Sequence, residues 1–247
     1  MFEEHLPKHK VGVLCPLSII DNAAYEFYRL APPGLMAVMI PIGLLEFSVA
    51  GVERALFTPL AANLDKLMER GVELVVQSGT PLPILIGLQA HDRMIDFMTK
   101  HTGVPASSTV LAVGRAARRL GIKKLALVNK WSDEMNRTLG AFLAREGVSV
   151  CGSATKEMAP AEFQKIKSLD HMQLAYELGR RAFLDNPDCD AIYIGGGTWL
   201  AQPVAEQLEK EFGKPAIVNQ TAQLWDILTI LNAWSPMQGH GRVLAAA

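Results

Sequence analysis

Two small-residue turns offer the clearest chemistry in the chain: Ser78-Gly79-Thr80 and Gly195-Gly196-Gly197-Thr198. Each follows a short apolar run and precedes an amphipathic one, where a strand hands over to a helix. Backbone NH groups at such a junction, with a threonine hydroxyl added, favour an anion. The spacing fits neither G-x-G-x-x-G nor G-x-x-x-x-G-K-[ST], so a nucleotide phosphate is disfavoured, whereas two equivalent NH-rich turns suit a small carboxylate. The competing reading is that these glycines only make tight turns.

Groups able to move a proton lie near the ends of other apolar runs. Cys15 directly follows the first run and is read as a thiol donor or as a small buried residue before Pro16. Glu46 follows the run IPIGLL, and a carboxyl group in apolar surroundings has its acidity weakened toward the range useful in catalysis. Lys130, beside Trp131, can hold a second substrate carboxylate, or act as a base if desolvated. Ser78 has no histidine placed to activate it and is kept as a hydrogen-bond donor; His91, inside a helical segment, is read as structural. Glu46 ranks first among these, with a solvated loop glutamate as its alternative.

The elements that must position these residues read as strands feeding helices. Short Val/Ile/Leu/Ala runs at 11–14, 36–40, 73–77, 124–128, 148–151, 191–194 and 216–218 predict strands of a mainly parallel sheet covered on both faces. Helices are predicted at 51–70, 109–120, 133–146 and 171–184, several ending at a glycine such as Gly121 or Gly213. The segments 73–113 and 190–228 share an order: strand, turn ending in Gly-Thr, helix, Gly-x-Pro, short strand or turn, helix. Similar opening strands precede both, at 10–18 and 123–132. This predicts an internal duplication, with the two Gly-Thr turns facing one cleft.

Composition narrows the class. The 247 residues are 49% apolar and 20% charged with a net charge of -1, so no nucleic-acid footprint is present. The amino-terminal MFEEHLPKHK lacks a signal-peptide core, and the apolar stretch 35–45 is interrupted by Pro41, so neither export nor membrane spanning is expected. Three widely spaced cysteines, Cys15, Cys151 and Cys189, predict neither a disulfide framework nor a zinc site, and fit reduced thiols in a cytoplasm.

The order VGVLCP, ELVVQSGT, GVPASST, KKLALVNKWSDEMN, DAIYIGGGTWL, GKPAIVNQ and the late LWD resembles the arylmalonate decarboxylase and maleate isomerase branch of the aspartate/glutamate racemase superfamily, over residues 11–234. The resemblance implies a pseudosymmetric duplicated α/β sandwich, no cofactor, no metal, and chemistry at the carbon next to a carboxylate. It also implies a cysteine from each half in racemases, and one from the second half in decarboxylases. At the matching positions this chain has Gly79 and Gly196, neither able to transfer a proton. Cys151 and Cys189 match neither position and are read as structural. In the carboxylate-holding pattern Thr80 and Gly197 match, while the next hydroxyl becomes Pro81, the second glycine becomes Thr198 and the tyrosine becomes Trp131. Trp131 and Trp199 would enlarge an apolar wall for an aromatic or branched substrate portion; core packing is the other common fate of tryptophan.

The expectation is thus one unit of residues 1–247, with halves at about 10–120 and 121–235 and the site between them. Substrate contacts are expected from Ser78, Gly79, Thr80, Trp131, Gly196, Gly197, Thr198 and Trp199, with Glu46, Lys130 or Cys15 catalytic. The expected activity is cofactor-independent, cysteine-independent lyase or isomerase chemistry on a small carboxylic or dicarboxylic acid. The alternative is a catalytically silent relative that binds such an acid. Neither a nucleic-acid nor a membrane partner is expected, and self-association is left open.

Overall fold

Along each central strand the side chains alternate between two apolar environments, and that alternation builds the architecture. The computed structural model describes residues 5–44, 46–163 and 165–245. Leu45, which ends the run before Glu46, and the first four residues of the amino-terminal segment lie outside them. One sheet contains β1 (His9–Cys15), β2 (Leu35–Pro41), β3 (Leu74–Gln77) and β4 (Ala106–Ser108), in the order β2-β1-β3-β4. The other contains β5 (Lys124–Asn129), β6 (Ser149–Thr155), β7 (Ala191–Ile194) and β8 (Ala216–Val218), in the order β6-β5-β7-β8. Every pairing is parallel, and the second sheet repeats the wiring of the first. The chain is a duplicated α/β sandwich, as the repeated segments predict.

Val11, Val13, Leu74 and Val76 of the first sheet meet Leu125, Leu127, Ala191 and Tyr193 of the second in one shared core. Helices α5 (Thr109–Arg119) and α10 (Asn219–Ile230) add Val113, Ala116, Leu224 and Leu228 to it. The intervening residues face outward: Leu14 and Val75 pack under α3 (Leu60–Met68) and α4 (Pro81–Thr102), while Ala126, Val128, Ile192 and Ile194 pack under α8 (Ser168–Asp185) and α9 (Gln202–Phe212). Covering both faces removes any polar alternation, which is why the strands read as unbroken apolar runs. β4 is only three residues long and gives no such run; its register, Val75↔Ala106 to Gln77↔Ser108, fixes it as a strand.

Two expectations are corrected. The predicted helix at 51–70 is broken into α2 (Val49–Val52), a π-turn over Glu53–Phe57 and α3. Pro59 has no NH to continue the ladder, and Thr58 N instead donates to Glu53 O, five residues back, at 2.9 Å. Cys151 and Cys189 form a disulfide with Cα atoms 6.2 Å apart, and Cys15 alone is a free thiol. Their separation of 38 residues hid this pairing, because it depends on β6 and β7 flanking β5. No helix among the described residues is long and apolar enough to cross a membrane.

The remaining helices are α1 (Asn22–Leu30), α6 (Asp133–Arg145), α7 (Pro160–Phe163) and α11 (Arg242–Ala245).

Candidate functional site

The carboxyl ends of β1, β3, β5 and β7 open into one cleft. Cys15, Ser78, Lys130 and Thr198 are its polar lining from these strand ends, and Gly79, Gly196 and Gly197 bring backbone to its surface. Leu17, Ile19, Ile20, Phe47, Trp131 and Phe163 form the apolar wall, with Asp21 also on the lining. A smaller chamber shares Cys15, Ser78 and Gly197 with it and continues toward Phe27, Met39 and Leu224.

The two turns are not equivalent. In the first, Ser78 N donates to Leu14 O at 2.9 Å and Gly79 N to Thr109 Oγ1 at 3.0 Å, so both NH groups are engaged. Thr80 is fully buried and does not reach the cleft; its hydroxyl donates at 2.7 Å to Tyr193 OH, which donates to Asn219 Oδ1 at 2.6 Å. The expectation that Thr80 contacts substrate is therefore not met, because a phenol from the other sheet takes its hydroxyl. In the second turn, Gly196 N makes only a long 3.4 Å bond to Asn219 Oδ1, and the NH groups of Gly197 and Thr198 have no acceptor among the described residues. The lining backbone NH groups without an acceptor among the described residues are thus those of Gly197 and Thr198, and Ser78 shares that lining.

Lys130 is the one cation on the lining among the described residues. It is 2% exposed, and its Nζ donates to Thr198 Oγ1 at 3.1 Å and lies 3.5 Å from His171 Nε2. The faces of Trp199 and Phe163 stand 4.2 and 4.6 Å from it, and no carboxylate forms an ion pair with it among the described residues. Burial pushes its ammonium down to about 7. Burial and the neighbouring Lys130 push His171 down to about 4, leaving a neutral imidazole at physiological pH.

Glu46 goes the other way. It is exposed, does not line the cleft, accepts from Ser48 Oγ at 2.8 Å and pairs with Arg54 at 2.6 Å. These two partners hold its carboxyl below the ordinary range, so the expected weakened acidity is absent. Cys15 lines both chambers, and burial raises its thiol to about 12, so it is protonated at neutral pH. Trp131 lines the wall. Trp199 does not: fully buried, it stacks on His171 behind Lys130. His91 is buried and bonded to Ser108 Oγ at 2.9 Å, in the structural role expected of it.

The arylmalonate decarboxylase family pattern matches residues 40–244. The chain belongs to the arylmalonate decarboxylase family. Arylmalonate decarboxylase of Bordetella bronchiseptica is 26% identical over 212 residues, spanning 85% of this chain and 87% of that protein. A liganded double mutant of arylmalonate decarboxylase superposes with a TM-score of 0.85 at 22% identity, covering 97% of this chain and 100% of that one. A maleate isomerase from Pseudomonas putida S16 gives 0.81 at 16% identity, covering 96% and 98%.

Within this family fold, positions 79 and 196 are shaped for glycine. Gly79 has φ +91°, and a Cβ there would stand 2.7 Å from Pro16 Cγ. Gly196 has φ +133°, and a Cβ would meet the Trp199 indole nitrogen. A side chain at either position requires the backbone or a ring to move. The sequence gives no signal for His171, Phe163, Phe47, Tyr193 or Asn219, which reach the site from elements far along the chain. His171 stood at the head of a predicted helix, with nothing to show that it faces Lys130.

Proposed function

We propose that the protein is a cofactor-independent lyase or isomerase acting at the carbon alpha to a carboxylate of a small carboxylic or dicarboxylic acid, in a site between its two halves, with Lys130 taking the proton-carrying role in place of a cysteine. The observation that carries this reading is a buried, cleft-facing lysine with no acidic partner among the described residues. The Gly197 and Thr198 NH groups and the Ser78 hydroxyl hold the retained carboxylate, and Trp131, Phe47 and Phe163 face its apolar substituent. When the bond to the departing carboxylate breaks, its electron pair passes into an enediolate held by those donors, and carbon dioxide leaves. The Lys130 ammonium then protonates the carbon and is recharged from water. Membership of the arylmalonate decarboxylase family and the Gly197 and Thr198 NH groups without an acceptor among the described residues support the reading. Because the ammonium is the acid, turnover by this route falls as pH rises through about 7.

A second reading, a silent carboxylate binder, is favoured by Gly79 and Gly196 standing where the resemblance places cysteines. NMR of aryl- and alkenyl-malonates, maleate and 2-substituted acids in deuterated buffer separates the two. Carbon dioxide loss or deuterium incorporation is the expected result. Line broadening without reaction supports the binder, and neither signal removes both readings.

A further inference from the structure

The surroundings of Lys130 suit a nucleophile better than a holder of anions. Its Nζ meets two ring faces, one hydroxyl and one neutral imidazole, and a buried ammonium with no ion-pair partner among the described residues is costly to maintain. Resting on the small-carboxylate site assigned above, we propose that Lys130 forms a Schiff base with the ketone of a 3-oxo acid, and that the protein decarboxylates such acids through an enamine.

The uncharged amine attacks the ketone carbon, and the carbonyl π pair moves to oxygen, which is protonated. His171 Nε2, 3.5 Å away, accepts the proton released from nitrogen and returns it as water departs, leaving an iminium. The bond to the carboxylate then breaks, its pair enters the new carbon–carbon double bond, the iminium nitrogen is neutralised, and carbon dioxide leaves. Protonation of the enamine carbon, with the Cys15 thiol on the same lining, and addition of water release the ketone and restore the amine. Water and protons are the only co-reactants.

Three further features support this chemistry. The iminium is a buried cation between the Trp199 and Phe163 faces at 4.2 and 4.6 Å with no carboxylate beside it among the described residues, so its neutralisation on loss of carbon dioxide is favoured. Lys130 is the one cation on the lining among the described residues, so once it is bound as the iminium no other cation holds the departing carboxylate, which favours its loss as neutral carbon dioxide. With burial bringing the lysine down to about 7, the uncharged amine is available near neutral pH.

The test treats the full chain with 3-oxo-3-phenylpropanoate, and separately with phenylmalonate, with and without borohydride. Carbon dioxide is followed, and the protein is mapped by peptide mass. Carbon dioxide release from the oxo acid is expected, with borohydride adding the mass of the ketone less its oxygen to the Lys130 peptide. Turnover of the oxo acid should rise with pH through about 7, opposite to the malonate route. Lys130→Met should lower release about 100-fold or more. Mapping of the unmutated chain keeps the test decisive should that variant fail to fold. Phenylmalonate turnover with no adduct from the oxo acid overturns the Schiff base and leaves the proposed function standing. An adduct on Lys130 with phenylmalonate inert supports the Schiff base and removes malonate chemistry. An adduct only on another lysine overturns the inference, and no reaction of either acid overturns both.

Discussion

Two opposing forces set the charge on Lys130. The ring faces of Trp199 and Phe163 favour the ammonium, whereas burial favours the amine, and the fall from 10.5 to about 7 is roughly 5 kcal/mol against the charged form. Burial wins. Glu46 lacks any comparable penalty, and its bonds to Ser48 and Arg54 keep it ionised outside the cleft. The consequence is testable on any acid the protein turns over: Lys130→Met lowers turnover about 100-fold or more, while Glu46→Gln changes it by no more than about twofold. Initial rates on the two variants, with circular dichroism to confirm folding, check this. Both residues follow apolar runs, and the sequence ranked Glu46 first because hydrophobic neighbours in the chain do not reveal which side chain the fold turns inward.

At the scale of elements, α1 and α9 are joined by a group that the apolar patterning does not single out. Glu26, on α1 and 1% exposed, accepts from Gln202 N at the start of α9 at 3.1 Å, while Arg29 Nη2 donates to Gln202 Oε1 at 3.0 Å. Burial raises the Glu26 carboxyl from 4.5 to about 7, against the lowering effects of that NH and Arg29. Between those values the folded chain holds a proton that the unfolded chain has lost, so stability falls as pH rises from 4.5 to about 7, by roughly 3 kcal/mol, and then levels off. Glu26→Gln keeps the acceptor and removes the ionisation. Urea denaturation at pH 5 and pH 8 is therefore expected to show wild type losing this stability relative to the variant; equal slopes would contradict it. The central strands and helix ends were legible because burial on both faces leaves unbroken apolar runs, whereas the interruption before Leu60 turns on the single missing NH of Pro59.

At the scale of the molecule, the duplication was written in repeated segments, and the two sheets repeat one strand order. The divergence between the halves was not legible. Thr80 and Thr198 occupy equivalent places, yet Tyr193 draws the first into the core, while the second stays at the cleft beside Lys130. That difference arises from packing between sheets, which no local spacing encodes. On the proposed function, the Gly197-Thr198 turn, the apolar wall and the desolvated Lys130 are the working parts, and Lys130 carries the chemistry. The most direct test is an NMR titration of the Lys130 side chain in protein labelled at lysine Cε, assigned by comparison with Lys130→Arg. A midpoint near 7 is predicted; a midpoint near the ordinary 10.5 would contradict the account.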